Sequence, residues 1–173
     1  MKNSFIIIFL TSLLLFNAVN ANNNIVFVDM ENIMATSKPG LHILKQLGDL
    51  KNENLKNFKK KETILKDNEK KIIKQKNIIS TEDFELKVNN LKKDIKEYNE
   101  YRNEKIKTFK QIKANNTNKL LSLINPILIQ YTKDKSISMV LQKKNIIISQ
   151  VEFDITKKII ELVDKNIKEF KIK

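Results

Sequence analysis

Only 2 glycines and 2 prolines occur in the 173 residues, and cysteine and tryptophan are absent. So few turn-formers argue against a many-turned β protein. They argue equally against an α/β nucleotide fold, whose phosphate loops need glycine. Without cysteine there is no disulfide framework and no thiolate metal site, although exported chains can also lack cysteine, so the redox compartment stays open. Aromatic residues make up 7% of the chain, too few for a large core. The lone histidine, His42, has no acidic or cysteine companions and reads as a helix-surface residue. No nucleophile is paired with a base, and no phosphate-cradling loop or His spacing for a metal is present. The adjacent acids Glu82 and Asp83 fall in a helix-capping context. The chain is therefore expected to be no enzyme and to use no cofactor or metal.

Lysine, isoleucine and asparagine are abundant instead, and the net charge is +13. Such a balance favours acidic partners. Part of it is also what a biased base composition would produce.

The N-terminus has the layout of a secretory signal. Lys2 precedes an apolar run from Phe5 through Phe16, followed by Ala18-Val19-Asn20-Ala21, with small residues at the usual −3 and −1 positions. Cleavage is expected after Ala21, giving an exported chain of residues 22–173 outside the cytoplasm. The apolar run is shorter than the roughly 20 residues a membrane span needs. Removing residues 1–21 takes away Lys2 and no acid, so +13 becomes +12.

The middle of the chain, residues 41–124, reads as a long antiparallel helical hairpin with its tip near Ser80. Phe58, Leu65, Ile72 and Ile79 recur every seven residues, with the charged Glu62, Glu69 and Lys76 between them. The return strand of the pattern runs Phe84, Val88, Leu91, Ile95, Tyr98, then Ile106, Phe109, Ile112, Leu120, Leu123 and Ile127. Alternating steps of four and three are the seam of a coiled coil. Ser80, followed by Thr81, Glu82 and Asp83, supplies an N-cap with acids in the first turn of the second helix. A hairpin of this kind buries a narrow stripe and projects into solvent. Phe58, Leu65, Ile72, Val88, Tyr98 and Phe109 either close its seam or face a bound partner. Between residues 51 and 113 there are 19 Lys and Arg against 11 Asp and Glu, so most of the positive surplus lies on the arm. Arg102, Asn116 and Lys119 are expected to interrupt the seam, and Pro126 to kink or break the helix where arm becomes body.

Residues 22–40 and 125–173 form the body. Ile25 to Asp29 reads as a short strand, apolar on both faces. Ser37 and Pro39 suit the start of the first long helix. Ile137–Gln142 and Asn145–Ser149 are predicted to be two strands joined around Lys143 and Lys144, and Asp154 or Thr156 to cap a last amphipathic helix. The fold class is mainly α, with a helical arm inserted in a small oligomerising β-sheet domain. A body of about 70 to 80 residues is marginal alone. Its core residues Val26, Val28, Met139, Leu141, Ile146 and Ile148 are expected to be shared between subunits.

In order and spacing the mature chain resembles the Skp/OmpH family of periplasmic chaperones. The resemblance is carried by Ile25 to Met30, by Ser37-Lys38-Pro39-Gly40 with Leu44-Lys45-Gln46-Leu47, by Asn125-Pro126-Ile127-Leu128, by Ser138 to Leu141 and by Asp154-Ile155-Thr156. It implies a homotrimer whose β body holds three helical arms around a cavity for unfolded outer-membrane β-barrel proteins. It also implies an ATP-independent holdase that prevents their aggregation. The segment Tyr131 to Ser136 departs from the family by lacking the glycine common there. Anionic lipid or lipopolysaccharide stays open as a further partner. The competing reading is a structural or polyanion-binding coiled coil of the envelope. Nucleic acid is disfavoured by the export signal and by the absence of an aromatic stacking platform.

Overall fold

The structure, a computed structural model, describes residues 24–168 and 170–172. The signal-peptide reading of residues 1–21 lies outside the described residues. β1 (Ile25–Val28) buries Val26, Phe27 and Val28 in succession, as a strand apolar on both faces should. Asp29 then turns the chain into α1 (Met30–Thr36), its Oδ1 accepting from the Asn32 amide at 2.9 Å. Ser37 is wholly buried and serves two helices. Its N–H donates to the Ile33 carbonyl at the end of α1, and its Oγ accepts from the Gly40 amide at 3.3 Å at the start of α2 (Lys38–Gln75). With Pro39 in the first turn, where no amide donor is needed, the entry to α2 is fixed by local chemistry. Gly40 is required there. A Cβ at that position would sit 2.0 Å from the Met34 carbonyl oxygen, so α1 and α2 approach too closely for any side chain.

α2 is 38 residues long, about 57 Å at 1.5 Å per residue. It ends at Gln75 rather than Ile79, because Lys76, Ile78 and Ile79 close back on Ile73 and Gln75 in a tight turn. Ser80 caps α3 (Thr81–Asp134), accepting from the Asp83 amide at 3.1 Å and donating to the Asp83 carboxylate at 2.7 Å. This is the N-cap expected from the sequence, with Glu82 and Asp83 in the first turn.

α3 runs 54 residues without a break, and this corrects the reading of Pro126 as a helix breaker. Pro126 lies on the exposed face, so the Ser122 carbonyl it leaves without a helical donor can turn to water. Meanwhile Ile124, Ile127, Leu128 and Tyr131 hold the opposite face against the core. Ser136, at a φ of 51°, takes the left-handed position just past the helix, where glycine is the usual occupant. The Ile137 amide returns to the Thr132 carbonyl at 2.9 Å.

β2 (Met139–Gln142) pairs parallel with β1 in the register Ile25 to Met139 and Val28 to Gln142. A parallel pair needs a long crossover, and here the whole arm is that crossover. The predicted second strand, Asn145–Ser149, is not formed. Lys143–Asn145 makes a single 3-10 turn, and a second such turn, Val151–Phe153, leads to Asp154. Asp154 bridges to Phe27 and thereby occupies the far edge of β1. Among the described residues the intervening isoleucines find no strand to pair with. α4 (Thr156–Asn166) then buries Thr156, Ile159 and Val163 on one face. The core gathers Ile33, Leu120, Ile124, Ile159 and Val163, all fully enclosed, from α1, α3 and α4.

Candidate functional site: the arm and its root

Periodicity alone would give the arm a plain apolar seam, and the structure modifies that in three ways. Phe58, Leu65, Ile72 and Ile79 do line one row of α2, with Phe58 buried and the others half-buried. The second row, however, is Asn68 and Gln75, three residues on, and not Glu69 and Lys76. Half of the α2 seam is therefore uncharged amide. Gln75 uses it, accepting from Lys87 Nζ at 2.6 Å across the hairpin.

On α3 the seam follows Phe84, Val88, Leu91 and Tyr98 as expected, then continues through Tyr101 and Lys105 to Phe109 and Ile112. Ile95, Ile106 and Leu123 are left exposed, and the buried position near the root is Ile124. Tyr101 lies three residues after Tyr98, a step the coiled-coil pattern allows and the sequence reading passed over.

At mid-arm the rings of Phe58 and Tyr101 meet edge to face, 6.1 Å apart at 86°. Cations cover them: Lys61 Nζ lies 4.8 Å and Lys105 Nζ 5.6 Å from the Tyr101 ring, and Arg102 stands 5.9 Å from Phe58. Arg102 thus packs on the seam instead of interrupting it. Beside this cluster the Tyr98 hydroxyl donates to a Glu62 carboxylate oxygen. Burial, reinforced by the Glu62 hydrogen bond and charge and opposed by Arg102, pushes the Tyr98 hydroxyl up to about 12. A shallow cleft of about 420 Å³ adjoins it, lined by Lys61, Ile64, Leu65, Asn68, Asp94, Glu97 and the two tyrosines. Its charges are of mixed sign, with no group placed as a nucleophile beside a base.

At the root the remaining polar interruptions are absorbed. Asn116 is buried, its amide donating to the Ile112 carbonyl at 2.7 Å. Lys119 Nζ lies 5.2 Å from the ring of Phe170, itself buried against the core. Gln46 ties down the chain after α4, donating to the Phe170 carbonyl at 2.9 Å and accepting from the Ile172 amide at 3.2 Å. The sequence reading missed this clamp, because no local pattern relates residues more than a hundred positions apart.

Of the six residues expected to form a shared body core, Val26 and Val28 are buried within the chain and Ile146 is half-buried. Met139 and Leu141 are exposed, and Ile148 is 90% exposed. A single chain does not enclose them. The six arm residues Phe58, Leu65, Ile72, Val88, Tyr98 and Phe109 are all buried or half-buried, on the seam side rather than on the outer surface. His42 is exposed on α2. Among the described residues no group of acids and histidines could hold a metal, and no helix is long and apolar enough to cross a membrane.

The same architecture is found in a crystal structure from Caulobacter crescentus assigned as a candidate outer membrane chaperone (OmpH-like). It matches with a TM-score of 0.81 at 14% identity, over 87% of this chain and 89% of that one. No curated protein sequence matches the chain. The model of the OmpH-like outer membrane protein family matches residues 24–163, from the first strand to the last helix. The chain belongs to the OmpH-like family.

Proposed function

We propose that this chain is an ATP-independent holdase chaperone of the periplasm. Three copies join through their bodies, and their basic arms surround unfolded outer-membrane β-barrel proteins and keep them from aggregating. The observation that carries the reading is the arm itself: helices of 38 and 54 residues, a surplus of 8 positive charges (19 minus 11) over residues 51–113, and apolar residues set outside the seam. Ile64, Ile73, Ile78, Leu86 and Ile95 are all at least 41% exposed, although the seam beside them is partly amide. A chain that needed only a stable hairpin would place these the other way round.

An unfolded barrel precursor presents alternating apolar side chains. A mobile surface with scattered apolar contacts and a long-range positive field can attract and hold it without a shaped pocket. Release needs no nucleotide, because folding into the membrane is downhill. Membership of the OmpH-like family and the assignment of the Caulobacter relative support the same reading.

The test dilutes a urea-unfolded outer-membrane barrel protein into buffer near physiological salt, with and without residues 22–173. The expected result is suppressed light scattering and a soluble complex of one barrel with three chains. Scattering equal to the unassisted control would overturn the reading. Steeply salt-dependent binding of nucleic acid or polyphosphate with no preference for unfolded barrels would favour a polyanion binder instead.

A further inference from the structure

α2 leaves the body at Lys38, and its far end lies about 57 Å away at 1.5 Å per residue. A lever of that length magnifies whatever happens at its root: a tilt of about 10° there displaces the tip by about 10 Å. What holds the root therefore decides where the arm points. At its first residue α2 is held from the body. The Lys38 amide donates to Asp164 Oδ1 on α4 at 2.7 Å, and Gly40 lies against the backbone of α1. A helix fastened only at one end can pivot there, and a second fastening farther along removes that freedom.

The second fastening comes from the chain that follows α4. Ile167 and Phe170 are buried in the core and Ile172 packs against it, although the helix has ended. Gln46 grips the backbone of this segment with both ends of its amide, donating to the Phe170 carbonyl at 2.9 Å and accepting from the Ile172 amide at 3.2 Å. A third bond, to the His42 carbonyl at 3.0 Å one turn earlier on α2, aims that amide. Gln46 stands eight residues past Lys38, about 12 Å along the helix axis. From the other arm helix, Lys119 Nζ lies 5.2 Å from the Phe170 ring. Gln46 and Lys119 adjoin Leu47 and Leu120, the last buried residues of the body core toward the tip on α2 and α3. The segment thus touches both helices where the core gives way to the hairpin seam. It also lies beyond residues 24–163, the stretch that the family model matches.

We infer that the chain after α4 is a strap on the arm. Anchored to the body through α4 and gripped by Gln46, it fixes the direction in which α2 and α3 leave the body, and its release frees the arm to swing about Lys38 and Gly40. The grip is on main-chain groups, so Gln46 and the buried Phe170 ring are the residues that set it. The inference rests on the reading above in one consequence only: where the arms enclose a client, the strap sets the width of the space between them.

The absence of cysteine makes the test clean. Spin labels are placed through Ile78→Cys at the arm tip and Lys157→Cys on α4, both exposed positions. Labelled chains diluted into an excess of unlabelled ones report the body-to-tip distance within one copy, by double electron–electron resonance and without client. In a chain ending at Asn166 the distance distribution is expected to broaden by about 10 Å, the response of the lever to a tilt of about 10°. Because that truncation also removes buried side chains, Gln46→Ala is measured beside it, with Ile43, Leu47 and Phe170 left in place. It is expected to broaden the distribution in the same sense, while hydrogen-exchange protection of β1 and α4 is retained. An unchanged distribution in Gln46→Ala would overturn the inference. Loss of protection in β1 and α4 in that variant would also overturn it, since the segment would then be part of the core and no fastening. A parent protein that shows the strap effect but lets an unfolded barrel precipitate would support the strap and overturn the chaperone reading instead.

Discussion

Body and arm solve the burial problem in opposite ways. In the body, β1, α1, α3 and α4 enclose several side chains completely, and Gly40 lets two helices touch backbone to backbone. In the arm, α2 and α3 meet along a single stripe, where Phe58 is the one buried apolar side chain beyond the root and the rest are half-solvated. The arm is held by period and by a few side-chain latches: Phe58 on Tyr101, Lys87 on Gln75, Tyr98 on Glu62. Its ion pairs within one helix, such as Lys93 with Glu97, are highly exposed and contribute little. The difference separates two tasks. Burial is concentrated where the arm begins and is thin along its length.

Substitutions in the two regions should therefore differ in kind. The largest effect is expected at Gly40. In Gly40→Ala the added methyl meets a carbonyl that cannot move without shifting α1, so a loss of about 2–3 kcal/mol is expected. Thermal unfolding monitored by circular dichroism would show the whole body melting earlier. An unchanged midpoint would mean that α1 and α2 are not in rigid contact. On the arm, Phe58→Ala should cost about 2 kcal/mol, less than the roughly 3–5 kcal/mol of a ring in a closed core, because the seam around it is half-solvated. Here hydrogen exchange should accelerate within residues 50–110 and leave β1 and α4 unaffected. Acceleration spread evenly over both regions would mean that arm and body unfold as one unit.

Two smaller effects probe how the body is tied to its second half. Burial tends to raise the Asp154 carboxyl, but the hydrogen bonds from Thr156 and Lys143 outweigh it and hold the group below the ordinary carboxylate value. A depressed value stabilises the fold above the unfolded-state pKa of about 4, and that stability is lost as pH falls through the folded value. Asp154→Asn should thus lower stability by about 1 kcal/mol at neutral pH. The gap between variant and parent denaturation midpoints should narrow as pH falls below about 4 and close below the folded value, and a gap that persists in strong acid would contradict the assignment. Ser136→Gly should act in the opposite direction. Relief of the left-handed backbone is expected to raise stability by about 1 kcal/mol, seen as a higher denaturant midpoint.

Much of this was legible in the sequence, for local reasons. The caps at Ser37 and Ser80, the hairpin and its turn, and the first strand each depend on neighbours within a few residues, and each is found where local chemistry puts it. The errors arose where distant contacts decide. Pro126 looks like a breaker until its face is known to be the exposed one. Ile146 to Ile148 look like a strand, but the contacts of Lys143 with Asp154 and of Asp154 with Phe27 carry the segment across to β1, away from a hairpin with β2. The second row of the α2 seam, Asn68 and Gln75, adjoins the charged Glu69 and Lys76, and periodicity alone cannot rank the two rows. The clamp of Gln46 on Phe170 and Ile172 has no sequence signature at all.

The most direct test of the central claim is hydrogen exchange on the assembled protein, with and without a bound unfolded barrel. New protection is expected along residues 51–113, concentrated around Ile64, Ile73, Leu86 and Ile95, with the body unchanged. Protection confined to the body, with the arms exchanging as freely as before, would contradict it.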